Sequence, residues 1–174
     1  DVIVNLNKES DNLSAEMTLR ALALKNFGKP ASAENGIKLI DSLINKIGLN
    51  SKDYNLADGS GISRYNLISA ELLISMLKYM YQNSKENFQI LKNSFPIAGV
   101  DGTLSNRMKN TKAFKNIFAK TGTLNGVSAL SGYLKTANNH EITFSILIQN
   151  FIGSSKTARN FQDKICILLS NMKL

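Results

Sequence analysis

The sequence contains no tryptophan, a single histidine, a single cysteine and two prolines among 174 residues. One cysteine excludes an intrachain disulfide. Cys166 sits in the apolar helical run Ile165-Cys-Ile-Leu-Leu169, where a thiol packs as a small hydrophobe. One cysteine and His140, which stands in a polar turn, do not make a ligand set, so no metal is expected, and no cofactor motif is found. No stretch is long or apolar enough to span a bilayer. The opening Asp1-Val-Ile-Val-Asn-Leu-Asn7 has no basic region followed by an apolar run, so no signal peptide is expected. Blocks of like charge, internal repeats and linkers are also missing.

What is there suits one domain with a real core: 43% of the residues are apolar and the formal charge is +8. Such a charge would attract an anionic partner. The lysines, however, are spread along the whole chain without aromatic interleaving or a groove-reading element. They read as a solvated basic surface, and nucleic acid is not expected as a partner.

Apolar periodicity predicts a first helix from Leu13 to about Asn26, with Leu13, Met17, Ala21 and Leu24 on its core face. Any of Ser10, Asp11 and Asn12 can cap it, and Gly28 and Pro30 end it. Ser32 caps a second helix carrying Ile37, Ile40, Ile44 and Ile47, closed by Gly48. A short extended piece, Tyr54 to Ala57, leads into the glycine-rich Asp58-Gly-Ser-Gly-Ile-Ser-Arg-Tyr-Asn66. That loop lacks the lysine and helix start of a phosphate-binding motif, so a structural turn is expected. Ser69 caps a third helix with Leu73, Met76, Leu77 and Met80 as its buried seam. A weaker helix spans about Lys85 to Lys92, and a helical turn follows at Leu104 to Lys109.

From about Asn116 the period becomes that of strands. Ile117 to Thr121, Val127 to Thr136 and Glu141 to Asn150 form a three-stranded antiparallel meander, joined through Leu124-Asn-Gly126 and Ala137-Asn-Asn-His140. A last helix, roughly Ser155 to Met172, offers Phe161, Ile165, Leu168 and Leu169 to the sheet. Three strands leave an open edge, which suggests further strands or pairing between two copies as a homo-oligomer.

Two tripeptides carry chemistry in this frame: Ser10-Asp-Asn12 before a helix and Lys120-Thr-Gly122 on a strand. Together they match the S-D-N and K-T-G elements of penicillin-binding proteins and class A β-lactamases, in the same order. Four blocks agree: Lys8 to Glu16, Ala57 to Leu67, Phe95 to Leu104 and Ala119 to Val127. With these blocks the chain resembles the class C, low-molecular-mass D-alanyl-D-alanine carboxypeptidases of the peptidase S13 (penicillin-binding protein 4) type, over nearly its whole length.

The resemblance implies an α/β (α+β) fold, the C-terminal part of a β-lactamase/transpeptidase-like αβα sandwich. Residues 1–174 would form part of one catalytic domain, with 1–115 mainly helical and 116–174 holding the K-T-G strand, meander and last helix. It implies a serine acyl-transferase that removes the terminal D-alanine of peptidoglycan stem peptides, cleaves cross-links in some members and is trapped by β-lactams. The expected location is periplasmic or otherwise extracytoplasmic.

In that chemistry Ser10 resembles the relay serine between the general base and the leaving amine, with helix capping as its alternative role. Asn12 resembles the amide that holds the substrate's peptide carbonyl and the base lysine. Lys120 would face Ser10 and the substrate carboxylate, and would keep the base lysine neutral by like-charge repulsion. Thr121 would donate its hydroxyl to that carboxylate. Gly122 would let substrate lie along the strand edge. Thr123 would contribute a backbone N–H to the oxyanion hole. Asp11 is assigned to the cap.

The nucleophile motif S-x-x-K should precede Ser10, where only nine residues stand. The S-x-x-K at Ser170-Asn-Met-Lys173 follows the K-T-G motif and lies in the last turn of the terminal helix, so it is read as coincidence. The chain is therefore expected to be the C-terminal part of a longer enzyme and inactive alone. The alternative is a non-catalytic cell-wall-binding module of the same fold.

Overall fold

The computed structural model describes residues 2–174. Six helices and three strands follow one another: α1 (Val2–Lys8), α2 (Asn12–Phe27), α3 (Ala33–Lys46), α4 (Ala70–Asn83), α5 (Lys85–Ser94), β1 (Phe118–Leu124), β2 (Val127–Lys135), β3 (Glu141–Gln149) and α6 (Ser155–Asn171). Short 3₁₀ turns stand at Ser51–Asp53 and Gly102–Leu104. The second of these replaces the helical turn expected at Leu104 to Lys109.

Serine hydroxyls start α3 and α4 as expected: Ser32 accepts from the Asn35 N–H and Ser69 from the Leu72 N–H, each at 3.1 Å. The helix α1 was not expected. Its Val2 and Ile3 are exposed and only Asn7 is buried, so no apolar stripe announces it. A tertiary contact holds it instead, with Asn7 Nδ2 donating to Ser94 Oγ at 2.7 Å. Asp1 lies outside the described residues.

The predicted core face of α2 is corrected. Leu13, Met17 and Leu24 are 70%, 56% and 46% exposed, while Leu19 and Ala23 are buried. Gly36 of α3 decides this, because a Cβ there would lie 2.6 Å from Leu19 Cδ1 and from the Leu19 carbonyl oxygen. The two helices touch through that gap, which turns the Leu13–Met17–Leu24 stripe outward.

The sheet has the order β1-β2-β3, all antiparallel. Leu124 pairs with Val127 across a two-residue Asn125-Gly126 turn, in which Gly126 alone takes a positive φ (+74°), the second-position conformation that favours glycine. Strand alternation sends Leu130 and Leu134 of β2 to one face, where they join Ile117, Ala119, Phe144 and the α6 residue Cys166. Tyr133 points to the other face, among Leu77 of α4, Phe88 of α5 and Phe95. Its hydroxyl donates to the Leu77 carbonyl at 2.8 Å. Helices thus cover both faces, giving the helix–sheet–helix layering expected from the sequence.

The face of α6 is also corrected. Phe161 and Leu168 are 57% and 64% exposed and Ile165 is half-buried, whereas Leu169 packs half-buried against the sheet core as expected, and the buried row is Ala158, Gln162, Cys166 and Ser170. Three of these, Ala158, Cys166 and Ser170, are small, which lets the helix lie close on the sheet, while Gln162 is held by Arg107. Arg107 fixes its rotation: Nε and Nη2 donate to Asp163 Oδ1 at 2.9 and 2.7 Å, and Nη2 reaches Gln162 Oε1 at 3.2 Å. Ser170 is 2% exposed, donates to the Cys166 carbonyl and accepts from Asn116 Nδ2. It is a packed structural hydroxyl, closed to substrate.

Candidate active site

Lys120 stands in β1 on the same face as Phe118, the face covered by α4 and α5. Its cross-strand neighbour Ser131 is hydrogen-bonded to Ser145 of β3, oxygen to oxygen, at 2.8 Å. The Lys120 side chain leaves the sheet and ends on the other half of the molecule, where Nζ donates to Ser10 Oγ at 2.6 Å. A second Nζ proton goes to the Thr121 carbonyl at 2.9 Å. Burial holds this ammonium below the ordinary lysine range.

Ser10 occupies the bend between α1 and α2 with φ +57°, a left-handed backbone that costs a non-glycine residue on the order of 1 kcal/mol. The helix cap is Asp11, which accepts from the Leu13 and Ser14 N–H groups at 3.3 and 3.2 Å and from the Ser14 hydroxyl. The Ser14 hydroxyl, with these amides, holds the Asp11 carboxyl below the usual range. Because Asp11 caps, Ser10 is released from that duty. An ammonium only donates, so Ser10 Oγ accepts from Lys120 and its own proton is left for a third group. Asn12 opens α2 two residues further on, with an exposed side chain.

On the opposite wall the Thr121 hydroxyl donates to Thr103 Oγ1 at 2.8 Å. At Gly122 an added Cβ would meet only Ala129 Cβ, at 3.3 Å, so the bare backbone leaves an open strand surface there. The outer edge of β1 is occupied at its start, where the Ala119 N–H donates to the Pro96 carbonyl at 3.1 Å. Outward-pointing amides recur at every second residue, which aims the Thr121 and Thr123 N–H groups along the same edge, past residues 96–98. The site thus sets a desolvated cation, a hydroxyl with a free proton and an edge of backbone donors side by side. Such a set can bind a carboxylate, relay a proton and hold a strand-like peptide.

The glycine-rich loop is a structural turn, as expected. Burial alone would raise the Asp58 carboxyl, but bonds from Asn66 Nδ2 and the Ser63 and Gly61 amides outweigh it and hold the group below the usual range. Glu16 of α2 anchors the loop by accepting from the Gly59 and Ser60 amides at 3.0 and 2.9 Å. One residue of this loop was missed as a neighbour of the site: Arg64 donates from Nη2 to the Asn125 carbonyl at 3.0 Å, reaching the turn between β1 and β2. No spacing or motif in the sequence signals that contact. A separate hollow, lined by Gln89, Lys92, Lys115, Phe118 and Lys135, contains none of the tripeptide residues.

Known proteins are similar to this chain in sequence and fold. Residues 1–172 match the model of the D-Ala-D-Ala carboxypeptidase 3 (S13) family. The chain is 37% identical over 164 residues to the D-alanyl-D-alanine carboxypeptidase DacB of Haemophilus influenzae, covering 91% of this chain and 34% of that protein. It is 34% identical over 175 residues to the D-alanyl-D-alanine carboxypeptidase of an Actinomadura species, covering 98% of this chain and 31% of the relative. The chain therefore spans about a third of the length of these curated relatives. Among solved structures it is similar to Haemophilus influenzae penicillin-binding protein 4 in complex with a β-lactam. That match has a TM-score of 0.88 and 32% identity, over 99% of this chain and 41% of the other. An extended-spectrum β-lactamase shares the fold alone, at TM-score 0.69 and 17% identity.

Proposed function

The chain belongs to the D-Ala-D-Ala carboxypeptidase S13 family, and from that premise we propose that it supplies two walls of a serine D,D-peptidase cleft acting on peptidoglycan stem peptides outside the cytoplasm. The observation that carries the reading is the 2.6 Å bond from Lys120 Nζ to Ser10 Oγ, which joins the two tripeptides across the cleft.

The substrate lies antiparallel along the free edge of β1, where Gly122 leaves room for its backbone. Its terminal carboxylate meets the Lys120 ammonium and the Thr121 hydroxyl, whose proton turns to the carboxylate while the Thr103 hydroxyl donates to Thr121 Oγ1 in its place, so the pair stays closed. The attacking serine and its base lysine belong to an S-x-x-K motif in the part of the enzyme that corresponds to the rest of the relatives' length. The serine alkoxide attacks the penultimate D-alanine carbonyl, and the resulting oxyanion takes the Thr123 N–H. As the C–N bond breaks, Ser10 passes its proton to the leaving amine of the terminal D-alanine and is reprotonated from the base lysine. Lys120 orients Ser10 through the bond it donates and, being cationic, disfavours a second charge on the base lysine. Asn12 holds the substrate's peptide carbonyl from the first turn of α2. Water then hydrolyses the acyl-enzyme. A β-lactam follows the same path and stays bound.

The test is covalent labelling by a fluorescent penicillin. The 174-residue chain alone is expected to take no label, and a protein extended to include S-x-x-K is expected to take one per chain. Label on the isolated chain, or none on the extended protein, would overturn the reading.

A further inference from the structure

The turn Asp101-Gly102-Thr103 touches both walls of the cleft at once. Asp101 Oδ1 accepts from the Ile97 N–H at 2.8 Å, while Oδ2 pairs with the Lys8 ammonium. These two side chains are only 34% and 18% exposed, so the pair is partly shielded from solvent. Gly102 has φ +52°, and a Cβ there would lie 2.6 Å from the Lys8 carbonyl oxygen and 3.1 Å from Lys8 Cα. Thr103 Oγ1 accepts from the Thr121 hydroxyl at 2.8 Å.

Lys8 ends α1 two residues before Ser10, and Thr121 follows Lys120 and accepts its second bond. The contacts therefore close a ring that runs from Ser10 through Lys8, the turn, Thr121 and Lys120 back to Ser10. The turn has a rigid base, because Leu104 is fully buried in the sheet core beside Ile117 and Ala119 and its carbonyl accepts from the Gly99 N–H at 2.9 Å. A left-handed serine persists only where its surroundings over-determine it, and this ring supplies the restraint.

We propose that Asp101-Gly102-Thr103 is a clasp that holds the Ser10 bend against the Lys120 strand, so that these three residues position the acyl-transfer site without touching the reacting atoms. Its catalytic meaning rests on the peptidase reading above, whereas its geometric meaning does not. Each residue contributes differently: Asp101 by charge, Gly102 by absence of a side chain and Thr103 by a hydroxyl. Asp101→Asn and Thr103→Val keep the size of the side chain and remove what it contributes.

The test follows exchange of the Lys120 ammonium protons with solvent by nitrogen-15 NMR of the 174-residue chain, beside the β2 core amides as an internal reference. Asp101→Asn, Gly102→Ala and Thr103→Val are expected to speed Lys120 exchange about tenfold while the core amides hold their protection. Thr103→Ser is expected to restore the slow rate. Thr103 is exposed, so Thr103→Val keeps the test valid even where Gly102→Ala fails to fold. Unchanged Lys120 exchange in Asp101→Asn and Thr103→Val, or core amides that speed up in step with it, would overturn the clasp. In the protein extended to include S-x-x-K, the clasp variants are expected to slow penicillin acylation with little change in reversible penicillin affinity. Acylation at the wild-type rate would overturn the positioning role. An unlabelled wild type would instead sink the peptidase reading and leave the NMR arm to decide the clasp.

Discussion

Lys120 Nζ and Ser10 Oγ, 110 positions apart in the chain, lie 2.6 Å from each other, and this bond ties the helical half of the molecule to the sheet. Hydrogen bonds to charged groups contribute more than neutral ones. Ser10→Ala is therefore expected to lower the unfolding free energy by about 1–2 kcal/mol, read from urea titration. Ser10→Gly loses the same bond but relieves the left-handed backbone, so it should cost roughly 1 kcal/mol less than Ser10→Ala. Equal losses would mean that the bend is unstrained.

Close approach of β1 and β2 depends on Gly132. A Cβ at that position would lie 2.1 Å from the Phe118 carbonyl oxygen and 2.6 Å from Ala119 Cα, both backbone atoms that cannot swing away. Gly132→Ala is expected to destabilise the fold by about 4 kcal/mol or more, enough to remove the cooperative thermal transition. A variant with a wild-type melting temperature would show the two strands to be further apart than described.

Arg107 is the clamp that sets the rotation of α6 through Asp163 and Gln162, with the arginine and aspartate side chains 12% and 18% exposed. Removing one partner of a shielded pair leaves the other charge unpaired. Arg107→Ala is expected to cost about 3 kcal/mol in denaturant unfolding, and the double variant with Asp163→Ala less than the sum of the two single changes. Additive losses would argue against the clamp.

The pH dependence of stability has opposing parts. Burial, with Asp163 nearby, pushes the Cys166 thiol from 9.0 up to about 12. Burial likewise raises the Tyr133 phenol, with Glu141 adding to it. A raised folded-state value gives stability that is complete below the unfolded value and lost as pH climbs through the folded one. Lys120 has the opposite sign: its burial opposes folding while it is charged, and that opposition fades as pH rises. Comparison with Cys166→Ala isolates the thiol. Between about pH 8.5 and 10.5 the stability advantage of the native chain over Cys166→Ala is expected to shrink by about 2 kcal/mol. A constant difference across that range would mean that the thiol is not held protonated.

Local chemistry was the legible part of the sequence. Ser32 and Ser69 caps, the Asn125-Gly126 turn and the strand alternation of residues 118–149 follow from rules that act over a few residues. The faces of α3 and α4 were legible, with Ile37, Ile40, Ile44 and Ile47 and Leu73, Met76, Leu77 and Met80 buried or half-buried, but those of α2 and α6 were not, because packing partners decide them. On α2 the absent side chain of Gly36 outranks three exposed apolar residues, and on α6 the Arg107 clamp outranks Phe161 and Leu168. The helix α1 lacks an apolar stripe and depends on Asn7 reaching Ser94. At the site the two tripeptides were readable as motifs. The release of Ser10 by the Asp11 cap, the hydroxyl pair of Thr121 with Thr103 and the reach of Arg64 to Asn125 are tertiary facts without a sequence signature.

Under the proposed function Ser10 and Lys120 belong to one penicillin-reactive cleft. The most direct measurement is the rate of covalent labelling by a fluorescent penicillin in the protein extended to include S-x-x-K, native against Ser10→Ala and Lys120→Ala. Loss of a proton relay or of the carboxylate-binding cation is expected to slow labelling by about 100-fold or more while the variants remain folded. Labelling of Lys120→Ala at the native rate would contradict the account.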